Sequence, residues 1–304
     1  MKSGVSKMSI GIGIPVFNDF VLTDYLLKSI ELYTPELDEI KIVVLDDGST
    51  DDYRDALKRI CQNHKVEFIS NSKNSGVAKS WNRIVHFLKT DNMILLNNDI
   101  FVYNGWFRVL RYFLENNQNV GTVGLPTLNI TQEDVFRLAL ALEPGKRTVD
   151  ILNPWTKARR IGVTNIPELR PPVRSMSPFG FGCCFGFSRK AYDLVHGFNE
   201  EYYAFYEEVD FGIALYQQGM SSFILPSPHI YHVWGATFQR NQQINAAKVM
   251  EESRRIFINK YGCDQQDIFK RSNHNFESEI TYLDGDKPKS ITITETYPPG
   301  DIEW

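Results

Sequence analysis

Val43-Val44-Leu45-Asp46-Asp47-Gly48-Ser49-Thr50-Asp51 is an apolar run that passes directly into two carboxylates, a glycine and two hydroxyl residues. Physically it is a buried strand that ends in a tight turn and feeds a helix: Gly48 permits the turn, and Ser49 or Thr50 is placed to cap that helix. A carboxylate at such a strand tip can accept hydrogen bonds from a base imino group or from ribose hydroxyls. Helix capping accounts for the same residues, so the stretch alone leaves both readings open.

On either side the chain alternates short apolar runs with segments of helical period. Strands are predicted at 9–15, 41–45, 66–69 and 93–96, and helices at 21–32, 52–61 and 76–88. That order implies an α/β fold with a mainly parallel sheet covered by helices on both faces. Ligands in such sheets bind beyond the carboxyl ends of the strands, where helix N-termini present their amides. Here those ends read Pro15-Val16-Phe17-Asn18-Asp19, Asp46-Asp47-Gly48-Ser49-Thr50 and Asn97-Asn98-Asp99. A carboxylate cluster without compensating bases suggests a bound cation.

Composition narrows the classes. At 304 residues with 42% hydrophobic content the chain can bury a sizeable core, and one α/β domain with an appendage is expected. A net charge of −4 argues against a surface that tracks nucleic acid throughout, so any polyanion contact is regional. Residues 1–8 hold no apolar run of signal-peptide length and no later stretch is long and apolar enough to span a bilayer, which gives the expectation of a cytoplasmic protein. Cys61, Cys183, Cys184 and Cys263 show neither CxxC nor zinc-type spacing and read as reduced structural residues.

The second half is less regular. Residues 143–176 hold five prolines and little apolar period, and read as a long loop inserted in the domain. Lys146, Arg147, Lys157, Arg159, Arg160, Arg170 and Arg174 make it basic inside an acidic protein, as solvated charge or as an anion contact. A strand is expected at 222–225, and a helix at 244–261 that stops at Gly262. The domain is expected to span 1–262, with an extension over 263–304. There, residues 280–283 and 290–294 flank Asp284-Gly285-Asp286-Lys287-Pro288 as a β-hairpin.

Three further constellations carry chemistry. Leu95-Leu96-Asn97-Asn98-Asp99 is a strand ending in a carboxylate that can hold Mg²⁺ or Mn²⁺ with diphosphate oxygens completing the shell, or an ordinary turn. Phe205-Tyr206-Glu207-Glu208-Val209-Asp210-Phe211 sets consecutive acids among aromatics at the start of a helix-period run over 209–217. Acids there complement the helix dipole, but desolvation by the aromatics would also raise a carboxylate toward the range of a general base. His229-Ile230-Tyr231-His232-Val233-Trp234-Gly235-Ala236-Thr237 offers imidazole, which suits Mn²⁺ as well as zinc.

Taken together these segments resemble glycosyltransferase family 2, the inverting transferases of GT-A fold, over roughly residues 10–262. The matching pieces are Ile14-Pro15-Val16-Phe17-Asn18, Asp46-Asp47-Gly48-Ser49-Thr50, Asn74-Ser75-Gly76-Val77-Ala78 with Asn82, and Leu96-Asn97-Asn98-Asp99-Ile100 as a variant of the DxD motif. Residues 182–186 with Arg189-Lys190-Ala191 look like the acceptor-side strand. The run 197–203 and Tyr206-Glu207-Glu208-Val209-Asp210 look like the GGFDE and EDxD segments. His232, Gly235 and Thr237 look like the HxxGxS/T element, and Phe257-Ile258-Asn259-Lys260-Tyr261-Gly262 is similar to the closing FxxKWG. Asn97, Asn199 and Glu208 each stand where the family usually has aspartate.

The resemblance implies a metal-dependent inverting transfer from a nucleotide-diphosphate sugar to an acceptor hydroxyl. Glu208 falls at the base position, with Glu207 as the alternative, and Asp99 and His232 are expected on a Mn²⁺ or Mg²⁺ ion. The nucleotide is expected among Pro15, Phe17, Asn18, Asp19, Asp46 and Asp47 on the first two strand ends. Asn74, Gly76, Lys79, Asn97 and Asn98 are expected to complete its site. Gly182, Trp234, Arg159 and Arg160 are expected on the acceptor or the donor sugar. The acceptor is a glycan, a lipid-linked sugar, a protein or a modified nucleic acid. A sugar-phosphate nucleotidyltransferase would want a glycine-rich basic loop at the first turn, which residues 14–19 lack. A non-catalytic nucleotide-binding module is the third reading.

Overall fold

Along β1 (Ile10–Val16) the isoleucines at 10, 12 and 14 face one side of the sheet while Gly11 and Gly13 face the other. The glycines answer a close approach: a Cβ on Gly13 would lie 2.2 Å from the Ile84 side chain on α3 (Val77–Leu88). β1 is flanked by β2 (Ile40–Asp46) and β4 (Asn92–Leu96), both parallel to it, and β3 (Glu67–Ser70) extends the sheet beyond β2. In this computed structural model the residues described are 8–34, 37–102, 105–117, 119–125, 127–130, 173–175, 182–225, 230–233, 235–265, 267–268, 276–283 and 287–295.

The main sheet has seven strands in the order β10-β6-β9-β4-β1-β2-β3, with β6 (Val120–Gly124), β9 (Cys184–Ser188) and β10 (Ser221–Ile224) completing it. The expectation of a mainly parallel sheet holds. One strand departs from it: β9 runs antiparallel to both β4 and β6. The strand expected over residues 182–186 begins two residues later, as β9 at Cys184, with residues 182–183 in the turn before it.

Neighbouring strand residues enter opposite layers, as period-2 geometry demands. Ile42, Val44, Ile94 and Leu96 pack with α1 (Val21–Tyr33), α2 (Asp51–Asn63) and α4 (Trp106–Asn116). Val43, Leu45, Met93 and Leu95 pack with α3, with α6 (Glu207–Gln217) and with Phe257 of α8 (Ala246–Tyr261); α5 (Arg189–Leu194) adds Ala191. Each such fully buried aliphatic or aromatic side chain stabilises the fold by about 1.5–3 kcal/mol. α8 is capped by the Asn245 side chain, which accepts from Lys248 N, and it ends at Gly262 in the left-handed conformation expected of a helix stop.

Two small sheets lie beside the main one in chain order. β5 (Ile100–Val102), β11 (Ile230–His232) and β7 (Thr127–Asn129) form one, in the order β5-β11-β7. The other joins the C-terminal hairpin, β12 (Phe276–Leu283) and β13 (Lys287–Glu295), to β8 (Val173–Ser175). The hairpin expected at 280–294 is present and longer. The loop expected over 143–176 lies outside the described residues except at its end, where residues 173–175 are strand because β12 offers them an antiparallel partner.

Candidate active site

The carboxyl ends of β1, β2 and β4 open onto a cavity of about 660 Å³. Of the residues expected on the nucleotide, Pro15, Phe17, Asp47, Asn74 and Gly76 line it, as do Asn97 and Asn98 beside Asp99. Asn18, Asp19, Asp46 and Lys79 are not in its lining.

The structure gives three of those four other work. Asp46 is fully buried; its Oδ1 accepts from Ser49 N at 3.1 Å, and its Oδ2 from Arg54 Nε at 3.1 Å and Ser70 Oγ at 2.8 Å. Asn18 accepts from Thr50 N at 3.0 Å and donates from Nδ2 to Asn241 Oδ1 at 2.7 Å, so it ties the first loop to the second and both to the end of α7 (Ala236–Arg240). Asp19 caps α1 through Leu22 N and pairs with Arg240, yet burial raises its pKa in spite of that arginine. Thr50 stands at the N-cap of α2 without a side-chain cap bond. Asp47 faces the cavity while its Oδ1 accepts from Asn71 Nδ2, Ser75 N and Ser75 Oγ, and its Oδ2 from Gly76 N at 3.0 Å.

The small sheet brings His232 to Asp99. β11 pairs His232 with Ile100, and Val233 N donates to Asp99 O at 2.9 Å. His232 Nε2 then lies 3.4 Å from Asp99 Oδ1, a buried oxygen with no hydrogen-bond partner among the described residues. An unsatisfied carboxylate oxygen beside an imidazole nitrogen at a cavity wall is a donor set that fits a divalent cation such as Mn²⁺ or Mg²⁺. Among the described residues no three His, Cys, Asp or Glu side chains group around a metal position, so the remaining ligands would come from diphosphate and water.

Glu207 and Glu208 open α6, two residues before the expected start of that helix. Their placement is set by two consecutive left-handed residues, Phe205 at φ 67° and Tyr206 at φ 68°. Such conformations cost a non-glycine residue about 1–2 kcal/mol each. Contacts fix them: Phe205 stacks on Phe238 with ring centroids 5.2 Å apart, and the Tyr206 hydroxyl donates to Asp264 at 3.1 Å. Glu208 lines the cavity and its carboxyl is raised by burial, partly offset by the helix amides of Glu208 and Val209. Glu207 also lines the cavity but is buried more deeply, its Oε2 finds no partner among the described residues, and burial with repulsion from Glu208 pushes its carboxyl well above the usual range. Cys183 also lines the cavity; burial raises its thiol to about 12, with smaller contributions from Asp99 and Glu208.

Other motif residues support the site from behind. Asp210 receives Lys260 Nζ at 2.7 Å and the Tyr202 hydroxyl at 3.3 Å, which locks α6 to α8. Asn82 accepts from Phe198 N and Tyr192, and donates to Phe198 O. Gly182 lines the cavity against Glu208. Trp234, Arg159 and Arg160 lie outside the described residues. Sequence reasoning did not assign Tyr203, Phe205, Phe238, Thr127 or Asn129, all of which line the cavity. The first two stood inside a quoted motif, whereas Thr127 and Asn129 belong to a three-residue strand with no local signature.

The model of Glycosyl transferase family 2 matches residues 11–195. An N-acetylglucosaminyl-diphospho-decaprenol L-rhamnosyltransferase of Mycobacterium tuberculosis is 37% identical over 82 residues, which is 26% of this chain and 24% of that protein. Among solved structures, a mannosyltransferase of Pyrobaculum calidifontis in complex with GDP-Man and Mn²⁺ superposes with TM-score 0.58 at 13% identity, covering 84% of this chain and 65% of its own. GalNAc-T7 with UDP, GalNAc and Mn²⁺ superposes at 0.52 with 15% identity, over 74% of this chain and 43% of that one. TarS of S. aureus does so at 0.53 with 13% identity, over 88% and 74%. At these identities the likeness establishes the fold, the GT-A arrangement of a mostly parallel sheet flanked by helices. With that fold and a family match over more than half its length, the chain belongs to glycosyltransferase family 2.

Proposed function

We propose that this protein transfers a sugar, with inversion, from a nucleotide-diphosphate sugar to an acceptor hydroxyl. The observation that carries the reading is that one cavity is lined by the Asp99–His232 pair, by Glu208 and by the carboxyl ends of β1, β2 and β4. Inversion needs a base on the face of the anomeric carbon opposite the leaving group. Glu208, with its raised carboxyl at a cavity wall, takes the proton of the attacking hydroxyl. Asp99 and His232 hold a divalent ion, Mn²⁺ or Mg²⁺, which when bound supplies positive charge to the departing nucleoside diphosphate.

The remaining residues bind and orient. Pro15, Phe17, Asn74 and Asp47 cradle the nucleoside side, and Gly235, Thr237, Phe238 and Gln239 add a further part of the cavity wall. The solved neighbours described with a nucleotide or nucleotide sugar and Mn²⁺ support this donor class and ion. The acceptor is a hydroxyl-bearing glycan, lipid-linked sugar, protein or modified nucleic acid, and the basic residues Arg159 and Arg160 meet an anionic part of acceptor or donor. A panel of nucleotide sugars with Mn²⁺ or Mg²⁺, scored by nucleoside diphosphate release, tests the reading. Release that depends on Glu208 supports it, and no release from any donor with either ion overturns it.

A further inference from the structure

A Cβ added to Gly182 would lie 2.8 Å from both Cδ and Oε1 of Glu208, and 3.0 Å from its Cγ. Contacts that short do not persist, so the Glu208 carboxylate occupies the volume that any side chain at 182 would fill. The backbone of Gly182 lies outside the left-handed region, so conformational freedom does not account for glycine there. The empty space does.

The turn that carries this space leads directly into β9 and is fixed to the other half of the site. Cys183 O accepts from Asn97 N at 2.9 Å, and Cys184 pairs with Leu96 in the β4–β9 ladder. Residue 182 is therefore held at a set offset from the loop that presents Asp99. Glu208 is the second residue of α6, so the helix terminus fixes the origin of its side chain. The acid is confined between a helix terminus and a bare stretch of backbone.

We propose that Gly182 is a positioning residue for the base: its missing side chain lets Glu208 lay its carboxylate against the turn before β9, at a fixed distance from the Asp99–His232 pair. The inference rests on the assignment of Glu208 as base. It stands beside the expectation that Gly182 lies on the acceptor or the donor sugar, since Gly182 also lines the cavity. The length of the acid at 208 and the absence of a side chain at 182 are two halves of one fit, and a Cβ at 182 calls for an acid one methylene shorter.

The test is a cycle of Gly182→Ala, Glu208→Asp and the double variant. The clashing atoms are the far end of a flexible side chain, so Gly182→Ala shifts the carboxylate rather than the fold, and Tm stays within about 2 °C of wild type. Donor turnover falls roughly tenfold to a hundredfold, as for a reacting group misplaced by about 1 Å, with donor KM unchanged. In the double variant the shorter acid clears the new methyl, and turnover recovers about tenfold over Gly182→Ala alone. A crystal structure of Gly182→Ala shows the Glu208 carboxylate displaced. Wild-type turnover in Gly182→Ala, losses that merely multiply in the double variant, or an unmoved carboxylate overturns the proposal. If the wild type turns over no donor, the proposed function fails, and the carboxylate position in the Gly182→Ala crystal still decides the fit.

Discussion

Replacing Gly76 by alanine tests how the nucleotide side of the cavity holds the acids in place. Gly76 caps α3 at φ 88° and ψ 172°, a region open essentially to glycine alone, so alanine there costs roughly 1–3 kcal/mol. The new Cβ would also lie 2.4 Å from Tyr203 O and 2.9 Å from Tyr203 Cα. These are backbone atoms, and Val77 N already donates to Tyr203 O at 2.6 Å, so the segment cannot swing aside without losing that bond. Overpacking of this kind adds about 1–3 kcal/mol. Together these come to roughly 2–6 kcal/mol, which lowers Tm by roughly 3–9 °C in a chain of this size. Tyr203 leads within four residues to Glu207, and relieving the contact moves it by about 1 Å, which reduces transfer roughly a hundredfold. Thermal unfolding and initial rates are measured beside Gly105→Ala, a glycine at φ 84° whose Cβ would meet nothing within 4 Å and which therefore carries the backbone strain alone. If Gly76→Ala loses no more stability than Gly105→Ala and transfers at the wild-type rate, the reasoning is refuted.

Glu208→Gln leaves donor binding intact and lowers transfer by roughly two to four orders of magnitude, whereas Glu207→Gln, at the more deeply buried of the two acids, does far less; a larger loss from Glu207→Gln moves the base by one residue. Asp99→Ala and His232→Ala each weaken Mn²⁺-dependent nucleotide binding measured by calorimetry, and chelation abolishes turnover that Mn²⁺ or Mg²⁺ restores; nucleotide affinity at the wild-type level in both variants places the ligands elsewhere. Away from the site, His64 bonds Glu31 at 2.7 Å and Asp24 at 2.9 Å; burial lowers its pKa, but the two carboxylates outweigh it and the net shift is upward. Because the folded value exceeds the unfolded one near 6.5, this stabilisation is complete below about pH 6.5 and is lost as pH rises through the folded value, so Tm falls over that window in the wild type and less in His64→Gln; equal slopes sink the assignment.

The amino-acid sequence by itself determined the strand and helix order of the first hundred residues, the polar strand ends and the identity of the acids at 99 and 208. These features are local: alternation along β1, β2 and β4 and the helical period of α1 to α3 can be read in a window of a dozen residues. Tertiary structure alone decided which of the polar residues meet the cavity. Asp46 and Asp47 are adjacent in the chain, yet Arg54 and Ser70 turn one inward while the other lines the site. Asn18 is claimed by Asn241, 223 residues away, and Asp19 by Arg240, partners that no local pattern announces. The three-residue strands β5 and β11 are too short to carry a period, and they set His232 beside Asp99. The antiparallel insertion of β9 likewise came from the pairing edges that β4 and β6 offered, and it put Gly182 against Glu208. Side-chain period is set by neighbours along the chain, whereas the partner of a buried charge or the occupant of an empty volume is set by whatever the fold brings within a few ångströms.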